Sequence, residues 1–89
     1  MNNSGKYNNN LNLIGQTLRD IRLRKNISFE KLSNKLLLLG VNIPVTSLHR
    51  IENNQRTVRD YEICALSIAL EISLDELLLP AKKYMLNEN

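Results

Sequence analysis

Polar side chains able to hydrogen-bond a ligand gather in one short segment near the middle of the chain. Thr46 comes shortly after Pro44, and His49 and Arg50 follow Thr46 by three and four residues. This spacing places side chains on one side of a helix. An arginine can bond guanine through O6 and N7, and a threonine can offer its hydroxyl, or its methyl group to thymine. Val45 accompanies them, although it can equally belong to the core. The chemistry that this segment suggests is recognition of base edges.

Residue types that carry out catalysis or hold a metal do not occur at the spacing they need. His49 is the only histidine and Cys64 the only cysteine, and no carboxylate lies at ligand spacing from either. The sequence has no glycine-rich phosphate loop and no nucleophile–base pair. We therefore expect no enzyme, no metal and no cofactor. Cys64 is expected to be a small buried apolar residue, and a chain with one cysteine suits a reducing cytoplasm.

Apolar periodicity predicts five helices and no strand. The predicted helices span residues 13–25, 29–39, 45–52, 61–70 and 74–79. Ser28 and Ser73 are predicted N-caps of the second and fifth, and Gly40 is expected to end the second. Pro80 either stops the fifth helix or begins another turn. The second helix, a glycine-containing turn and the third helix together form a helix-turn-helix, a motif whose second helix can enter the DNA major groove.

Composition fits one small domain with an unequal distribution of charge. The 89 residues are 43% hydrophobic but only 4% aromatic, which indicates an aliphatic helix-packing core. Residues 1–59 carry ten Lys and Arg against three Asp and Glu, a balance of +7, and residues 60–89 carry two against six, a balance of −4. The split suggests a side that faces a polyanion, or else two solvated faces that differ. The sequence has no long apolar run, so we expect no membrane contact. We expect a cytoplasmic location.

The chain divides into three predicted segments. Residues 1–12 are rich in Asn, with Ser and Gly, and are expected to form a flexible N-terminal arm. Residues 13–79 would form the helix-turn-helix domain, and residues 80–89 a C-terminal tail.

Three stretches of the sequence carry a family resemblance. GQTLRDIRLRKNISFEKLS, VTSLHRIENNQR and DYEICALSIALEISLDELL, within residues 13–79, resemble the XRE (lambda repressor and Cro-like) family of DNA-binding domains. The resemblance implies an all-α, compact five-helix bundle with a helix-turn-helix, usually dimeric on DNA and regulating transcription. The sequence departs from the family's commonest form in two places. The run from Leu36 to Gly40 lengthens helix two, and Phe29 stands where many members have a glutamine that touches a phosphate.

The resemblance also implies roles for individual residues. The residues implied to contact DNA are Val45, Thr46, His49 and Arg50 on helix three, and Asn53, Gln55, Arg56 and Arg59 after it. Arg59 can instead belong to the first turn of helix four. Arg22 and Glu52 match a partly buried salt bridge that sets the angle of helix three.

These observations lead to one expected function and its alternatives. We expect a sequence-specific regulator of transcription that binds double-stranded DNA, acting as a repressor and as a homodimer. The alternative is a protein-interaction module, such as the antitoxin of a toxin–antitoxin pair, whose acidic half binds a basic protein partner. A purely structural oligomerisation bundle fits the charge split poorly. Surplus apolar residues are candidates for a dimer surface, or for a broad core stripe: Leu37, Leu38, Leu77, Leu78, Leu79 and Met85.

Overall fold

A computed structural model describes residues 6–87, which form five helices. The helices are α1 (Gly15–Arg24), α2 (Phe29–Leu38), α3 (Val45–Glu52), α4 (Asp60–Leu70) and α5 (Leu74–Met85). Over this range the chain has no strand, only an isolated bridge between Tyr7 and Asn10. No helix within residues 6–87 has the length and apolar character needed to cross a membrane. The predicted all-α, five-helix class is confirmed.

Local signals set the helix ends. The Ser28 hydroxyl accepts a hydrogen bond from the Lys31 N–H, and the Ser73 hydroxyl accepts one from the Glu76 N–H, both at 3.1 Å. Each bond satisfies a backbone donor that has no partner inside its helix. Gly40 follows α2 with a φ of +81°, a left-handed conformation that glycine adopts without penalty. The predicted serine caps and the glycine stop are confirmed.

The core is aliphatic, as the composition predicts. Within the described range, the fully buried large side chains are Leu18, Leu32, Leu36, Ile43, Leu48, Ile51, Leu66, Leu70 and Leu77. Of the two alternatives left open for Leu77, the core is therefore correct and the dimer surface is not. The prediction for Cys64 is wrong, because its side chain is exposed. Cys64 lies on the outer side of α4, between the exposed Tyr61 and Ile68, whereas the inner side carries Ala65, Leu66, Ala69 and Leu70.

Helices α1 and α3 meet at a very close contact. A Cβ added to Gly15 would lie 2.3 Å from the backbone oxygen of Ile51, nearer than two such atoms can approach. Gly15 therefore brings the first turn of α1 against the last turn of α3. The position of α3 in the fold is fixed from this side by backbone rather than by an adjustable side chain.

The structure differs from two of the predicted segments, although it does not test them as domain boundaries. Part of the expected flexible arm is hydrogen-bonded to the loop after α3, where the Leu11 and Asn12 N–H groups donate to the Asn54 side chain at 2.8 and 3.2 Å. Residues 1–5 of that arm lie outside the described range. At the other end, α5 continues through Pro80 to Met85, so the predicted tail begins as helix. Pro80 gives up one backbone hydrogen bond, but the turns after it remain helical.

Candidate nucleic-acid interface

Helix α3 has one buried and one exposed side. Leu48 and Ile51 are fully buried, whereas Thr46, His49 and Arg50 are exposed. Val45 is half-buried and therefore only partly available for contact. The structure thus brings three side chains with different hydrogen-bonding groups onto one accessible surface. An arrangement of this kind can read the donor and acceptor pattern of base edges.

The loop after α3 is held in a defined shape. Asn54 has a φ of +60°, which asparagine tolerates better than most residues. The Gln55 N–H donates to the Arg50 carbonyl at 2.8 Å, and the Arg50 guanidinium donates weakly to the Gln55 carbonyl at 3.3 Å. Asn53 and Gln55 are exposed beside this turn. Their amide groups are free to face a ligand that lies along α3.

Arg56 is engaged by a buried carboxylate. Its Nη1 and Nη2 donate to the two Glu62 oxygens at 3.0 and 2.8 Å, and Nη1 also donates to the Thr57 carbonyl at 2.9 Å. These hydrogen bonds from Arg56 lower the pKa of Glu62, and the hydrogen bond to Glu62 raises the pKa of Arg56. Three of the five guanidinium donors are thereby used, which leaves Nε–H and one Nη2–H for a phosphate. Sequence reasoning missed Glu62 because the pairing crosses a loop.

Arg59 lies exposed immediately before α4. Its Nη1 donates to the Tyr61 hydroxyl at 3.1 Å, and this bond raises the pKa of Arg59. The Arg59 N–H donates to Glu62 at 2.9 Å, so Glu62 fixes both the backbone of Arg59 and the side chain of Arg56. The two arginines, with Thr57 and Glu62, line a small cleft. Its cationic rim suits an anion such as a backbone phosphate.

Arg22 and Glu52 form a buried ion pair between α1 and α3. Arg22 Nε and Nη2 lie 2.7 and 3.1 Å from the two Glu52 oxygens, and Nη1 donates to the Ile27 carbonyl at 3.2 Å. The side chains are 9% and 2% exposed. Because every polar atom of the pair has a partner, the bridge is a satisfied structural tie. It fixes the last turn of α3, close in sequence to His49 and Arg50.

Asn12 is a residue of this region that sequence reasoning missed. Its Nδ2 donates to the carbonyls of Ile51 and Arg56 at 3.1 and 2.9 Å. Its Oδ1 accepts from the N–H groups of Ile14 and Gly15 at 3.0 and 2.7 Å. One amide therefore joins the start of α1 to the last turn of α3 and to the loop that follows it. The available signal was an asparagine shortly before a predicted helix. It could not identify the Ile51 and Arg56 carbonyls, which lie 39 and 44 positions away.

The solved structures that resemble this chain include those of two regulators. The restriction-modification controller protein C.AhdI from Aeromonas hydrophila is 33% identical over 72% of this chain and 89% of its own, with a TM-score of 0.62. The chain belongs to the XRE family of helix-turn-helix DNA-binding domains. The clp gene regulator ClgR from C. glutamicum, at 21% identity over 81% of this chain and 87% of its own, has the same fold with a TM-score of 0.69. No family model and no curated protein sequence matches the chain.

Membership in the XRE family identifies α3 as the second helix of the helix-turn-helix. The family's motif places the second helix of the helix-turn-helix in the major groove, and here that helix is α3. The structural relatives are regulators by name. A DNA-binding regulator is therefore the function class of this chain, and the comparisons do not favour the antitoxin alternative.

Proposed function

We propose that this regulator binds double-stranded DNA sequence-specifically, with α3 in the major groove, and represses transcription from the promoters that it occupies. The observation that carries the proposal is the division of α3 into a fully buried side and an exposed side bearing Thr46, His49 and Arg50. The buried Arg22–Glu52 pair, which ties α1 to the last turn of α3, supports this presentation of the helix.

The exposed residues divide into two roles. On α3, Arg50 would bond a guanine, Thr46 and His49 would contact neighbouring base edges, and Val45 would contribute apolar contact. After α3, contacts to phosphates would come from Asn53, Gln55, Arg56 and Arg59. Phosphate contacts position the protein on the duplex, whereas base contacts specify the sequence.

Cations outside ion pairs would supply the salt-dependent part of the affinity. Over residues 6–87, carboxylates pair with Arg22, Arg24, Lys35 and Arg56. Exposed Arg19, Lys31, Arg50 and Arg59 are not in those pairs. Release of counterions by such residues makes binding weaken linearly in log salt.

A homodimer completes the proposal, because one short helix reads too few base pairs to select a site in a genome. A set of apolar side chains on α5 offers the surface, with Leu74, Leu79 and Met85 43%, 45% and 54% exposed. Leu78 is half-buried in the same helix, and Leu86 follows it at 57% exposure. These five residues are called the α5 apolar surface. A two-fold dimer built on it would bind an inverted repeat.

One selection of bound sequences from random duplex DNA tests the proposal. We expect an enriched inverted repeat, and binding that weakens as salt rises. A reporter gene that carries this repeat between its promoter and its start codon should be expressed less when the protein is present. A cytoplasmic location is part of the proposal, since the operator must be accessible. Failure to enrich any motif would contradict sequence-specific binding.

A further inference from the structure

The side chains of Arg22, Phe29 and His49 form a three-layer stack behind the exposed side of α3. The ring centres of Phe29 and His49 are 3.9 Å apart with an interplanar angle of 27°. The guanidinium carbon of Arg22 lies 3.8 Å from the Phe29 ring centre. Two planar groups at such distances cannot share one ring face, so Phe29 lies between them.

The stack links an exposed side chain to a rigid part of the core. Arg22 cannot swing away, because Glu52 and the Ile27 carbonyl hold its guanidinium. Phe29 is half-buried at the first position of α2 and lies against that fixed plane. His49 is exposed, yet its ring rests on Phe29. A surface imidazole that would otherwise sample several rotamers is thus restricted to one plane.

We propose that Phe29 is a specificity-determining positioning residue, which holds the His49 imidazole in the plane where its edge reads one base pair. The inference rests on the proposed function, because it needs α3 in the major groove. A neutral imidazole edge carries one N–H donor and one acceptor nitrogen, and such an edge distinguishes base pairs only when its direction is fixed. Stacking against Phe29 fixes that direction before DNA arrives, so binding requires less loss of side-chain freedom.

The chain has one histidine and one phenylalanine, so the stack can be observed directly by NMR. The two carbon-bound ring protons of His49 lie over a phenyl face and should resonate upfield of an exposed histidine. Phe29→Leu should return them to ordinary positions, and Phe29→Tyr should keep them shifted. An unshifted His49 signal in the folded wild-type protein would overturn the proposal, whatever the DNA experiments give.

Specificity is then measured by selection from random duplex DNA with four proteins: wild type, His49→Ala, Phe29→Leu and Phe29→Tyr. His49→Ala and Phe29→Leu should relax the same single base pair, with Phe29→Leu losing about two- to tenfold in preference there, the range expected for one aromatic pair. Phe29→Tyr should retain the preference. Combining Phe29→Leu with His49→Ala should relax that base pair no further than His49→Ala does.

A matched control separates this effect from a general loss of structure. Thr46→Ala changes an exposed residue of the same helix that is outside the stack, and it should relax a different base pair. If Phe29→Leu keeps the wild-type preference at the His49 position, the positioning role is wrong while the proposed function stands. If Phe29→Leu lowers all preferences equally, Phe29 supports only the fold and the positioning role is again wrong. If wild type enriches no motif, the proposed function itself fails.

Discussion

Arg56 and Glu62 are joined by two hydrogen bonds of 3.0 and 2.8 Å between the loop that follows α3 and the first turn of α4. The Glu62 side chain is 3% exposed and that of Arg56 23% exposed. Glu62 also accepts from the Arg59 N–H. One carboxylate therefore holds groups of two arginines that are proposed to face phosphates.

The Glu62 carboxylate should make stability sensitive to acid. Its pKa is lowered in the folded protein, first by the hydrogen bonds from Arg56 and further by the Arg59 N–H. A lowered folded-state pKa contributes stability above the unfolded value of about 4.3, and that contribution is lost as pH falls through the folded value. Glu62→Gln should lower the free energy of unfolding by about 1.5–3 kcal/mol at pH 7. On acidification the variant should lose less stability than the wild-type protein does. Urea melts from pH 7 to 3 measure this.

A matched control for that series is Glu30→Gln, which removes an exposed carboxylate from the first turn of α2. It should change stability by no more than about 0.5 kcal/mol at pH 7. Equal acid sensitivity of wild type and Glu62→Gln would mean that the Arg56–Glu62 pair contributes nothing to the folded state.

The Arg22–Glu52 bridge should behave as a coupled pair. Arg22→Met should destabilise the protein by roughly 3–5 kcal/mol, because Glu52 is left charged and buried without a partner. Arg22→Met combined with Glu52→Leu should recover much of that loss. Thermal melts of wild type, both single variants and the double variant give the coupling free energy. Additive effects would show that the two side chains do not support each other.

Gly15→Ala should destabilise the fold although alanine favours helices. The new methyl group would overlap the Ile51 carbonyl oxygen, so α1 and α3 must separate, and such overpacking typically costs about 1–3 kcal/mol. Gln16→Ala, one residue later and exposed, should change stability by no more than about 0.5 kcal/mol. The urea midpoints of the two variants decide the point, and a Gly15→Ala midpoint equal to that of Gln16→Ala would refute the tight contact.

Alanine substitutions of Arg50 and Arg59 should weaken DNA binding in different ways. Arg50→Ala should cost about 1–3 kcal/mol on the enriched operator and relax one base position, whereas Arg59→Ala should weaken all sequences alike and reduce the salt slope by about one. Binding titrations at several salt concentrations, on operator and on random duplex, separate the two patterns. Equal losses on both DNAs for both variants would show that the assigned roles are wrong.

Introducing charged side chains into the α5 apolar surface should abolish dimerisation. Combining Leu79→Glu with Met85→Glu places two carboxylates on exposed positions of that surface, so the monomer should stay folded while tight binding to an inverted repeat disappears. Sedimentation and operator titrations measure both effects. Leu38→Glu is the matched control, since Leu38 is 88% exposed but lies on α2. Dissociation by the control alone would place the interface on α2.

Helix positions were predictable from sequence because their signals are local. Ser28 caps a helix whose apolar residues recur every three or four positions, and Gly40 ends it, all within 13 residues. The extension of α5 was not predictable, because Pro80 weakens the helix locally and its continuation depends on tertiary surroundings.

The side chains of the site could be predicted only in part, although the resemblance did imply the Arg22–Glu52 pair that the structure contains. Sequence placed Thr46, His49 and Arg50 on a short helix, and the structure leaves all three exposed. It did not predict that Phe29 would stack on His49, because that pairing depends on how α2 and α3 cross. Nor did it predict the partners of Asn12, which lie 39 and 44 residues away. Side-chain partners across such separations follow from packing, not from periodicity.

The exposed position of Cys64 makes the native chain ready for single-site chemical labelling. It is the only thiol in the sequence and it lies on the outer side of α4, whereas the proposed reading surface lies on α3 and the proposed dimer surface on α5. A maleimide dye can therefore be attached without any substitution. Two labelled copies bound to one operator would then report their separation by energy transfer, and the half-site spacing could be followed in solution as a distance.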